Sequence, residues 1–285
     1  MASETHAKIV GVIGAGQMGS GIAQLCAMAG YRTKVCDVSD HVLATAQRRI
    51  GESLLKLASK RLLENSPKTI MELISYGVDI EDLKDCLILV ESAFEDFDIK
   101  SNILYKIGSF MTPTSYVASN TSSYSITSLA KMLPYPNRFI GLHFMNPPPL
   151  MELVEIVKGF HTDDETFNFF WKFALTLKKV PIESKDSPGF ILNRILIPMI
   201  NEAIYLLQAA ISTPEHIDAA MKLGAHHPVG PLALADLIGL DTVLAIMKTL
   251  KTKLNQEKYS PCPLLEEYVA RGFLGKKSGR GFFTY

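Results

Sequence analysis

The segment that most constrains the fold is residues 8–30, where a short apolar run leads directly into closely spaced glycines. Four β-branched apolar residues stand within positions 9–13, a pattern typical of a strand buried on both faces of a parallel sheet. Gly14, Gly16 and Gly19 follow at the spacing G-x-G-x-x-G. This order predicts a strand, a tight turn and a helix whose N-terminus binds phosphate.

Each glycine of this loop has a separate physical role. Gly14 allows the chain to turn sharply out of the strand, Gly16 presents no Cβ to an approaching pyrophosphate, and Gly19 allows the helix to pack closely. The free N–H groups and partial positive charge at the helix start attract phosphate oxygens. We therefore predict that the loop residues bind a dinucleotide: Gly14, Gly16, Gln17, Met18 and Gly19.

The sequence around the loop supports this interpretation, since the spacing alone also occurs in glycine-rich turns that bind no dinucleotide. A helical pattern runs to Gly30, and a second strand from Tyr31 to Cys36 ends at Asp37. An acid at this distance can accept a hydrogen bond from the adenosine ribose 2′-hydroxyl of NAD, and it would repel the 2′-phosphate of NADP. The predicted cofactor is NAD.

Composition and charge limit the other possibilities. The 285 residues suffice for two domains, and 47% hydrophobic content allows a large core. Lys plus Arg and Asp plus Glu both number 29, so the balance gives no reason to expect a nucleic-acid or membrane partner. The four cysteines are widely spaced, as free thiols in a reducing compartment would be. With no secretory signal, membrane span or peroxisomal address, a cytoplasmic protein is expected.

Strands alternate with helices over the first two thirds of the chain, which predicts a doubly wound α/β sheet of the Rossmann type. Strands are predicted at 9–13, 31–36, 87–91, 116–119, 139–143, 153–157 and 180–182. Helices are predicted at 39–64, from Ser66 to near Tyr76, at 95–110 and at 166–178, and then only helices, at 190–210, 214–222, 232–238, 241–254 and 264–271, with a possible short final strand at 282–285. Turn residues at 185–189 place the boundary between a domain of residues 1–186 and an all-α domain of residues 187–285.

Polar residues gather where the predicted parallel strands end, which is where ligands of open α/β sheets bind. They are Glu95, Lys100, Asn120, Ser122, His143 and Asn146. His143 closes a strand, and Glu155 on the neighbouring strand could fix its tautomer, as suits a general base. A hydrogen-bonded structural histidine with an unrelated glutamate explains this spacing equally well. We expect Asn120 to face the cofactor.

A basic stripe runs along the helix predicted at 39–64. Its members recur at steps of three and four: Arg49, Ser53, Lys56 and Lys60. Such a stripe could hold an extended anionic ligand, although a basic helix face is more often simply solvated.

Five ordered motifs identify a family resemblance that covers nearly the whole chain. They are Gly-Ala-Gly-Gln-Met-Gly at 14–19, Ser-Asn-Thr-Ser-Ser at 119–123, Gly-Leu-His-Phe-Met-Asn-Pro at 141–147, Lys-Asp-Ser-Pro-Gly-Phe-Ile-Leu-Asn-Arg at 185–194, and Gly-Lys-Lys-Ser-Gly-Arg-Gly-Phe at 275–282. The chain resembles the L-3-hydroxyacyl-coenzyme A dehydrogenases, and among them the stand-alone bacterial 3-hydroxybutyryl-coenzyme A dehydrogenases.

The resemblance implies reversible, NAD-dependent oxidation of a short-chain L-3-hydroxyacyl thioester to the 3-ketoacyl thioester. It implies that His143 is the base, Glu155 its partner, Ser122 the group that binds the C3 oxygen, and Asn193 a group near the carbonyl. It also assigns further contacts: Glu95, Lys100, Asn146 and Lys277 to the cofactor, and Ser53 and Lys60 to coenzyme A. Because Ser53 and Lys60 match positions that bind coenzyme A in the family, the resemblance indicates that the basic stripe is a ligand site and not simply a solvated helix face.

Alternatives to this assignment come from related chemistry and from loss of activity. One is a dehydrogenase of a free 3-hydroxy acid such as gulonate, and another is a non-catalytic NAD-binding relative. Residues 144–149 are Phe-Met-Asn-Pro-Pro-Pro, where the family often has Phe-Phe-Asn-Pro-Val-Pro. Because of this difference, the sequence does not determine which acyl chain length the pocket accepts. No hydratase domain precedes the first strand, so we expect the stand-alone type of enzyme and not the multifunctional one.

A homodimer is expected from the helix predicted at 190–210. Apolar residues occupy most of its circumference, more than the core of a small helical domain can cover. The expected partners are therefore an acyl-coenzyme A substrate and a second copy of the chain, with no metal.

Overall fold

The computed structural model describes residues 9–285, and the chain divides after Ser187 into two units. The first unit holds an eight-stranded sheet with helices, and the second holds only helices and short turns. The predicted fold class, a Rossmann-type sheet followed by an all-α domain, is confirmed. The division lies one position from the domain boundary predicted from sequence.

The strands of the first unit are short. They are β1 (Ile9–Ile13), β2 (Arg32–Cys36), β3 (Ile74–Gly77), β4 (Ile88–Glu91), β5 (Tyr116–Ser119), β6 (Phe139–Phe144), β7 (Leu153–Lys158) and β8 (Val180–Lys185). Their order in the sheet is β3-β2-β1-β4-β5-β6-β7-β8. The central strands β4, β5 and β6 are fully buried. The strand order reverses between β1 and β4, and a crevice at the carboxyl ends of these strands is where such sheets bind ligands.

Two strands, β7 and β8, run against the other six, and this reversal matters for the site. All neighbouring strands are parallel except β6 and β7, which pair antiparallel with His143 directly opposite Glu155. The antiparallel turn brings a residue near the start of β7 to the same edge of the sheet as the end of β6.

Helices cover the sheet of the first unit. They are α1 (Gln17–Met28), α2 (Asp40–Ser59), α3 (Pro67–Met71), α4 (Phe97–Phe110), α5 (Ile126–Ala130) and α6 (Asp164–Thr176). Two differences from the sequence prediction stand out. The helix expected to reach Tyr76 ends at Met71, because residues 74–77 leave it to form the edge strand β3 against β2. The short helix α5 was not predicted.

The second unit packs around its own apolar core. Its helices are α7 (Leu192–Gln208), α8 (Pro214–Gly224), α9 (Pro231–Ile238), α10 (Leu240–Leu254) and α11 (Pro263–Ala270). The buried carboxylate of Asp236 accepts hydrogen bonds from the backbone N–H groups of Phe282 and Phe283, at 3.0 and 2.9 Å, and so fixes the C-terminal tail. The possible strand at 282–285 is only an isolated bridge between Arg280 and Thr284. Across residues 9–285, no helix is long and apolar enough to span a membrane.

Candidate active site

The glycine loop between β1 and α1 has the geometry that phosphate binding needs. Gly14 has a φ of +95°, and a Cβ there would come within 2.6 Å of the carbonyl oxygen of Ser92. A Cβ on Gly19 would overlap the carbonyl oxygen of Gly14. Around the Cβ position of Gly16, in contrast, no atom lies within 4 Å. The loop is therefore closed against the protein at its two outer glycines and open at the central one, beside the N-terminus of α1.

Asp37, directly after β2, fixes the loop from the side. Its Oδ2 accepts a hydrogen bond from the backbone N–H of Ala15 at 2.7 Å, and the N–H of Gly14 donates to the carbonyl of Cys36 at 2.8 Å. The predicted ribose-binding carboxylate thus lies beside the predicted phosphate-binding turn.

The remaining loop residues connect this turn to the end of β6. The Gln17 side-chain amide donates to Oδ1 of Asn146 at 2.9 Å. A Cβ on Gly21 in α1 would lie 2.8 Å from Pro148, which shows how closely the turn after Asn146 packs on that helix. Met18 is half-buried against the core.

Asn120 joins three strand ends. Its Oδ1 accepts from the backbone N–H of Phe144 at 2.9 Å, and its Nδ2 lies 3.4 Å from the hydroxyl of Ser92. The loops after β4 and β5 and the last residue of β6 are therefore linked through one side chain. The predicted contact between Asn120 and the cofactor stays a prediction.

His143 and Glu155 form a buried pair at the carboxyl end of β6. Nδ1 of His143 lies 2.7 Å from Oε2 of Glu155, with the two residues 7% and 1% exposed. The contact follows from the antiparallel register, which places the two residues opposite each other. A carboxylate on Nδ1 fixes the imidazole tautomer and assigns proton exchange to Nε2.

A cluster of three charged side chains lies under the loop after β5. The ammonium group of Lys100 is 2.9 Å from Oε1 of Glu91 and 3.2 Å from Oε2 of Glu95. The side chains of Glu91 and Lys100 are 0% and 1% exposed. The ammonium group of Lys100 is therefore paired with two carboxylates of the protein itself. Its predicted contact with the cofactor stays a prediction.

Sequence reasoning missed Glu91, although a signal was present. A charged residue that ends an otherwise apolar, buried strand needs a partner, and Lys100 lies nine positions further on. Oε2 of Glu91 also accepts from the hydroxyl of Ser119 at 2.5 Å, and its Oε1 from the N–H of Ala93 at 2.7 Å.

Glu95 binds the segment that carries Ser122. Its Oε1 accepts from the N–H of Ser122 at 2.9 Å and from the hydroxyl of Thr121 at 2.7 Å. Partial burial raises the pKa of Glu95, but the Lys100 ammonium and the hydrogen bonds from the loop outweigh it, so the pKa lies below its usual value. Glu95 is thus an anion at neutral pH.

The basic stripe lies on α2 and its C-terminal cap. Lys56 and Lys60 are exposed and Ser53 is half-buried. Arg49 donates to the hydroxyl of Ser20 in α1 at 3.1 Å, so this end of the stripe is tied to the helix that follows the glycine loop. The predicted coenzyme A contacts of Ser53 and Lys60 stay predictions.

Two predicted site residues belong to the helical unit. Asn193 lies in the first turn of α7 and is half-buried. Lys277 lies in a short 3₁₀ turn, Lys276–Ser278, where its ammonium contacts both carboxylate oxygens of Asp241, at 2.6 and 2.7 Å. Their predicted roles stay predictions.

Comparison with known proteins gives a consistent family. The family model "3-hydroxyacyl-CoA dehydrogenase, NAD binding domain" matches residues 9–187, and "3-hydroxyacyl-CoA dehydrogenase, C-terminal domain" matches residues 189–285. A 3-hydroxybutyryl-CoA dehydrogenase of Bradyrhizobium diazoefficiens is 50% identical over 98% of this chain and 95% of its own. A probable 3-hydroxybutyryl-CoA dehydrogenase of Deinococcus radiodurans is 47% identical over 96% of this chain and 99% of its own.

A solved structure shows the same likeness. The crystal structure of (S)-3-hydroxybutyryl-CoA dehydrogenase PaaH1 from Ralstonia eutropha matches with a TM-score of 0.94 and 45% identity, over 98% of this chain and 99% of that one.

Proposed function

This chain belongs to the 3-hydroxyacyl-CoA dehydrogenase family of NAD-dependent oxidoreductases, and we propose that it interconverts short-chain L-3-hydroxyacyl-CoA and 3-ketoacyl-CoA, with 3-hydroxybutyryl-CoA and acetoacetyl-CoA as the preferred pair. The observation that carries the proposal is the buried pair of His143 and Glu155, 2.7 Å apart at the ligand-binding edge of the sheet.

The residues of the glycine loop fit NAD. The open space at Gly16, the N-terminus of α1 and the carboxylate of Asp37 provide room, partial positive charge and an acceptor, in the order in which a pyrophosphate and a ribose need them. When bound, NAD supplies the hydride acceptor for the C3 hydrogen.

His143 is the general base in this proposal. Its Nε2 takes the proton of the C3 hydroxyl, while Glu155 keeps a hydrogen bond with Nδ1 and stabilises the imidazolium ion that forms. In the reverse direction, the same nitrogen returns the proton to the C3 oxygen. Because Glu155 is nearly fully buried, its charge is poorly screened by water and acts strongly on the ring.

Ser122 and Asn193 orient the substrate. The Ser122 hydroxyl donates to the C3 oxygen, which leaves the substrate's own hydroxyl proton directed at His143. Asn193 binds near the carbonyl group of the substrate, and Glu95 supports Ser122 by accepting a hydrogen bond from its backbone N–H at 2.9 Å.

The basic stripe on α2 binds the phosphates of coenzyme A. Lys56 and Lys60 contribute exposed positive charges, and the half-buried Ser53, one turn before Lys56, contributes a hydroxyl group. This stripe is the feature that favours a thioester of coenzyme A over a free 3-hydroxy acid, which has no phosphate to bind.

We also propose a homodimer that forms through the helical unit. Ile195 and Leu206 are 66% and 39% exposed on α7. They stand eleven residues apart, close to three full turns, so both lie on one face of the helix. A second copy of the chain would cover this face.

A cytoplasmic location completes the proposal. All four cysteines are buried free thiols, as a reducing compartment maintains them. Burial raises the pKa of Cys36 to about 11 and that of Cys86 to about 12, which keeps these thiols protonated.

One assay tests the proposed activity. Purified protein should oxidise NADH in the presence of acetoacetyl-CoA, followed at the NADH absorbance band, and should use free acetoacetate far less efficiently. Equal use of the free acid would support the alternative of a free 3-hydroxy acid dehydrogenase, and no turnover with either substrate would contradict the proposal.

A further inference from the structure

The loop from Thr121 to Ser123 rests on a single carboxylate oxygen. Oε1 of Glu95 has five donors within reach: the hydroxyl of Thr121 at 2.7 Å, the hydroxyl of Ser123 at 2.8 Å, the N–H of Ser122 at 2.9 Å, the N–H of Ser123 at 3.1 Å and the hydroxyl of Ser122 at 3.2 Å. The three residues of the loop are therefore held by one side chain on the neighbouring connection, between β4 and α4.

The other oxygen of Glu95 is anchored to the interior. Oε2 lies 3.2 Å from the ammonium group of Lys100, which contacts the two oxygens of Glu91 at 2.9 and 3.1 Å and the carbonyl of Ala93 at 3.3 Å. Glu91 ends β4 and is fully buried, so the support of Glu95 reaches back into the sheet.

We propose that Glu95, held by Lys100 and Glu91, is a positioning residue for Ser122: it fixes the loop and accepts the Ser122 hydroxyl until a substrate oxygen replaces it. This inference rests on the proposed function, in which Ser122 donates to the C3 oxygen of the substrate. It gives Glu95 a role through Ser122 in addition to its predicted contact with the cofactor.

The hydrogen-bond geometry favours the Ser122 hydroxyl as the group that leaves Glu95 for a substrate oxygen. A carboxylate has about four lone-pair positions on its two oxygens, so five donors on one oxygen compete with one another. The Ser122 hydroxyl has the longest of the five distances, and hydrogen bonds weaken with distance. It can turn to a substrate oxygen while the hydroxyl of Ser123 and the two backbone N–H groups remain on Glu95.

A double-mutant cycle tests the proposal on the full-length protein. Glu95→Gln keeps the size of the side chain but turns one acceptor oxygen into a donor NH₂ group. It should lower kcat for acetoacetyl-CoA about tenfold or more, and Ser122→Ala should lower it at least as much. In the Ser122→Ala background, Glu95→Gln should have little further effect, because the group it positions is gone.

The comparison with NADH binding separates positioning from cofactor contact. The Kd of NADH for Glu95→Gln, measured by NADH fluorescence, reports the predicted cofactor contact, whereas kcat at saturating NADH reports the positioning of Ser122. Ser123→Ala removes a hydroxyl from the same oxygen without touching the substrate, so its effect on kcat should be well below that of Ser122→Ala. Multiplicative effects in the cycle, or a Kd that rises tenfold while kcat is unchanged, would overturn the proposal.

Hydrogen exchange gives a second measurement that needs no activity. The amides of residues 121–123 should exchange faster in Glu95→Gln than in the wild type, followed by mass spectrometry of peptides that span 120–125. Glu165→Gln, the same substitution at a carboxylate in the first turn of α6 that accepts from the hydroxyl of Tyr116 at 2.8 Å, serves as the control. If the wild type does not reduce acetoacetyl-CoA, the proposed function fails, and exchange alone decides: faster exchange supports the positioning role, and unchanged exchange overturns it.

Discussion

At the scale of single residues, Asp37 combines two tasks. One carboxylate oxygen holds the glycine loop through the N–H of Ala15 at 2.7 Å, and we expect the carboxylate also to bind the adenosine ribose. A substitution at this position therefore changes both the loop and the choice of cofactor.

The first prediction separates these two tasks. Asp37→Ala should lower kcat/KM for NADH mainly through KM, because a ribose contact is present in the ground state and the transition state alike. Asp37→Asn keeps an acceptor for Ala15 but removes the charge that repels a 2′-phosphate. It should therefore bring NADPH closer to NADH in steady-state kinetics. A wild-type protein that uses NADPH as well as NADH would contradict the assignment.

Whether a site residue could be predicted from the sequence depends on how far along the chain its partner lies. The glycine spacing and Asp37 are visible in sequence because their partners lie within about one strand and helix. His143 and Glu155 were visible as candidates, but their contact depends on an antiparallel register that spacing alone left open. The cluster of Glu91, Lys100 and Glu95 was not foreseen as a unit, because burial and direction of side chains decide it.

At the scale of elements, helix α5 depends on a residue far along the chain. Asp186 accepts from the hydroxyl of Ser125 at 2.7 Å and from the N–H groups of Ile126 and Thr127 at 3.1 and 2.8 Å. The carboxylate therefore fixes the first turn of α5, directly after the loop that carries Ser122. The local signal is limited to the N-cap Ser125, whose hydroxyl accepts from the N–H of Ser128 at 3.1 Å, and five residues are too few to show apolar periodicity, which is why the helix was not predicted.

The second prediction concerns this carboxylate. Asp186→Ala leaves two backbone N–H groups without their acceptor, and should destabilise the first unit by about 1–2 kcal/mol, the usual cost of a lost helix cap. It should also lower kcat, because the loop before α5 loses one of its supports. Denaturant midpoints and steady-state kinetics measure the two effects.

Asp163→Ala is the matched control for that experiment. Asp163 caps α6 by accepting from the N–H of Thr166 at 2.7 Å, and it lies after the carboxyl end of the antiparallel strand β7, opposite the edge where His143 ends β6. It should lower stability similarly and leave kcat unchanged. Equal loss of kcat in both variants would contradict a specific link between Asp186 and the loop.

Most elements of the fold were predictable from apolar periodicity, and the exceptions have a physical cause. Residues 74–77 were predicted as the end of a helix because Ser66 and Pro67 are typical of a helix start. In the structure, the backbone of residues 74–77 instead forms hydrogen bonds with β2. A four-residue edge strand offers too short a pattern to compete with that signal, and only the neighbouring strand determines it.

The third prediction tests the basic stripe on α2. Lys60→Ala should raise KM for acetoacetyl-CoA roughly fivefold, which corresponds to about 1 kcal/mol for one exposed charge pair, and the effect should shrink at high salt. KM for NADH should not change. Lys68→Ala, an equally simple loss of charge on α3, is the control, since the Lys68 side chain is 87% exposed outside the stripe. The same change in KM for both variants would remove the stripe from the coenzyme A site.

At the scale of the whole molecule, the helical unit leaves apolar surface on α7. The fourth prediction is that the protein is a dimer at micromolar concentration, and that Ile195→Lys shifts it to monomer in sedimentation equilibrium, because burying an unpaired charge opposes association. Leu175→Lys makes the same change at a side chain that is 52% exposed on α6 in the other unit, and it should leave the dimer intact. A monomeric wild type would contradict the proposed interface.

The most direct test of the central claim is the turnover number of His143→Ala with acetoacetyl-CoA and NADH, measured beside Glu155→Gln and the double variant. The general-base role predicts a loss of roughly 10²- to 10⁴-fold in His143→Ala. It also predicts a smaller loss in Glu155→Gln, and a double variant no worse than His143→Ala, because the pair acts as a unit. Near-native turnover in His143→Ala, with NADH binding and folding unchanged, would contradict the account.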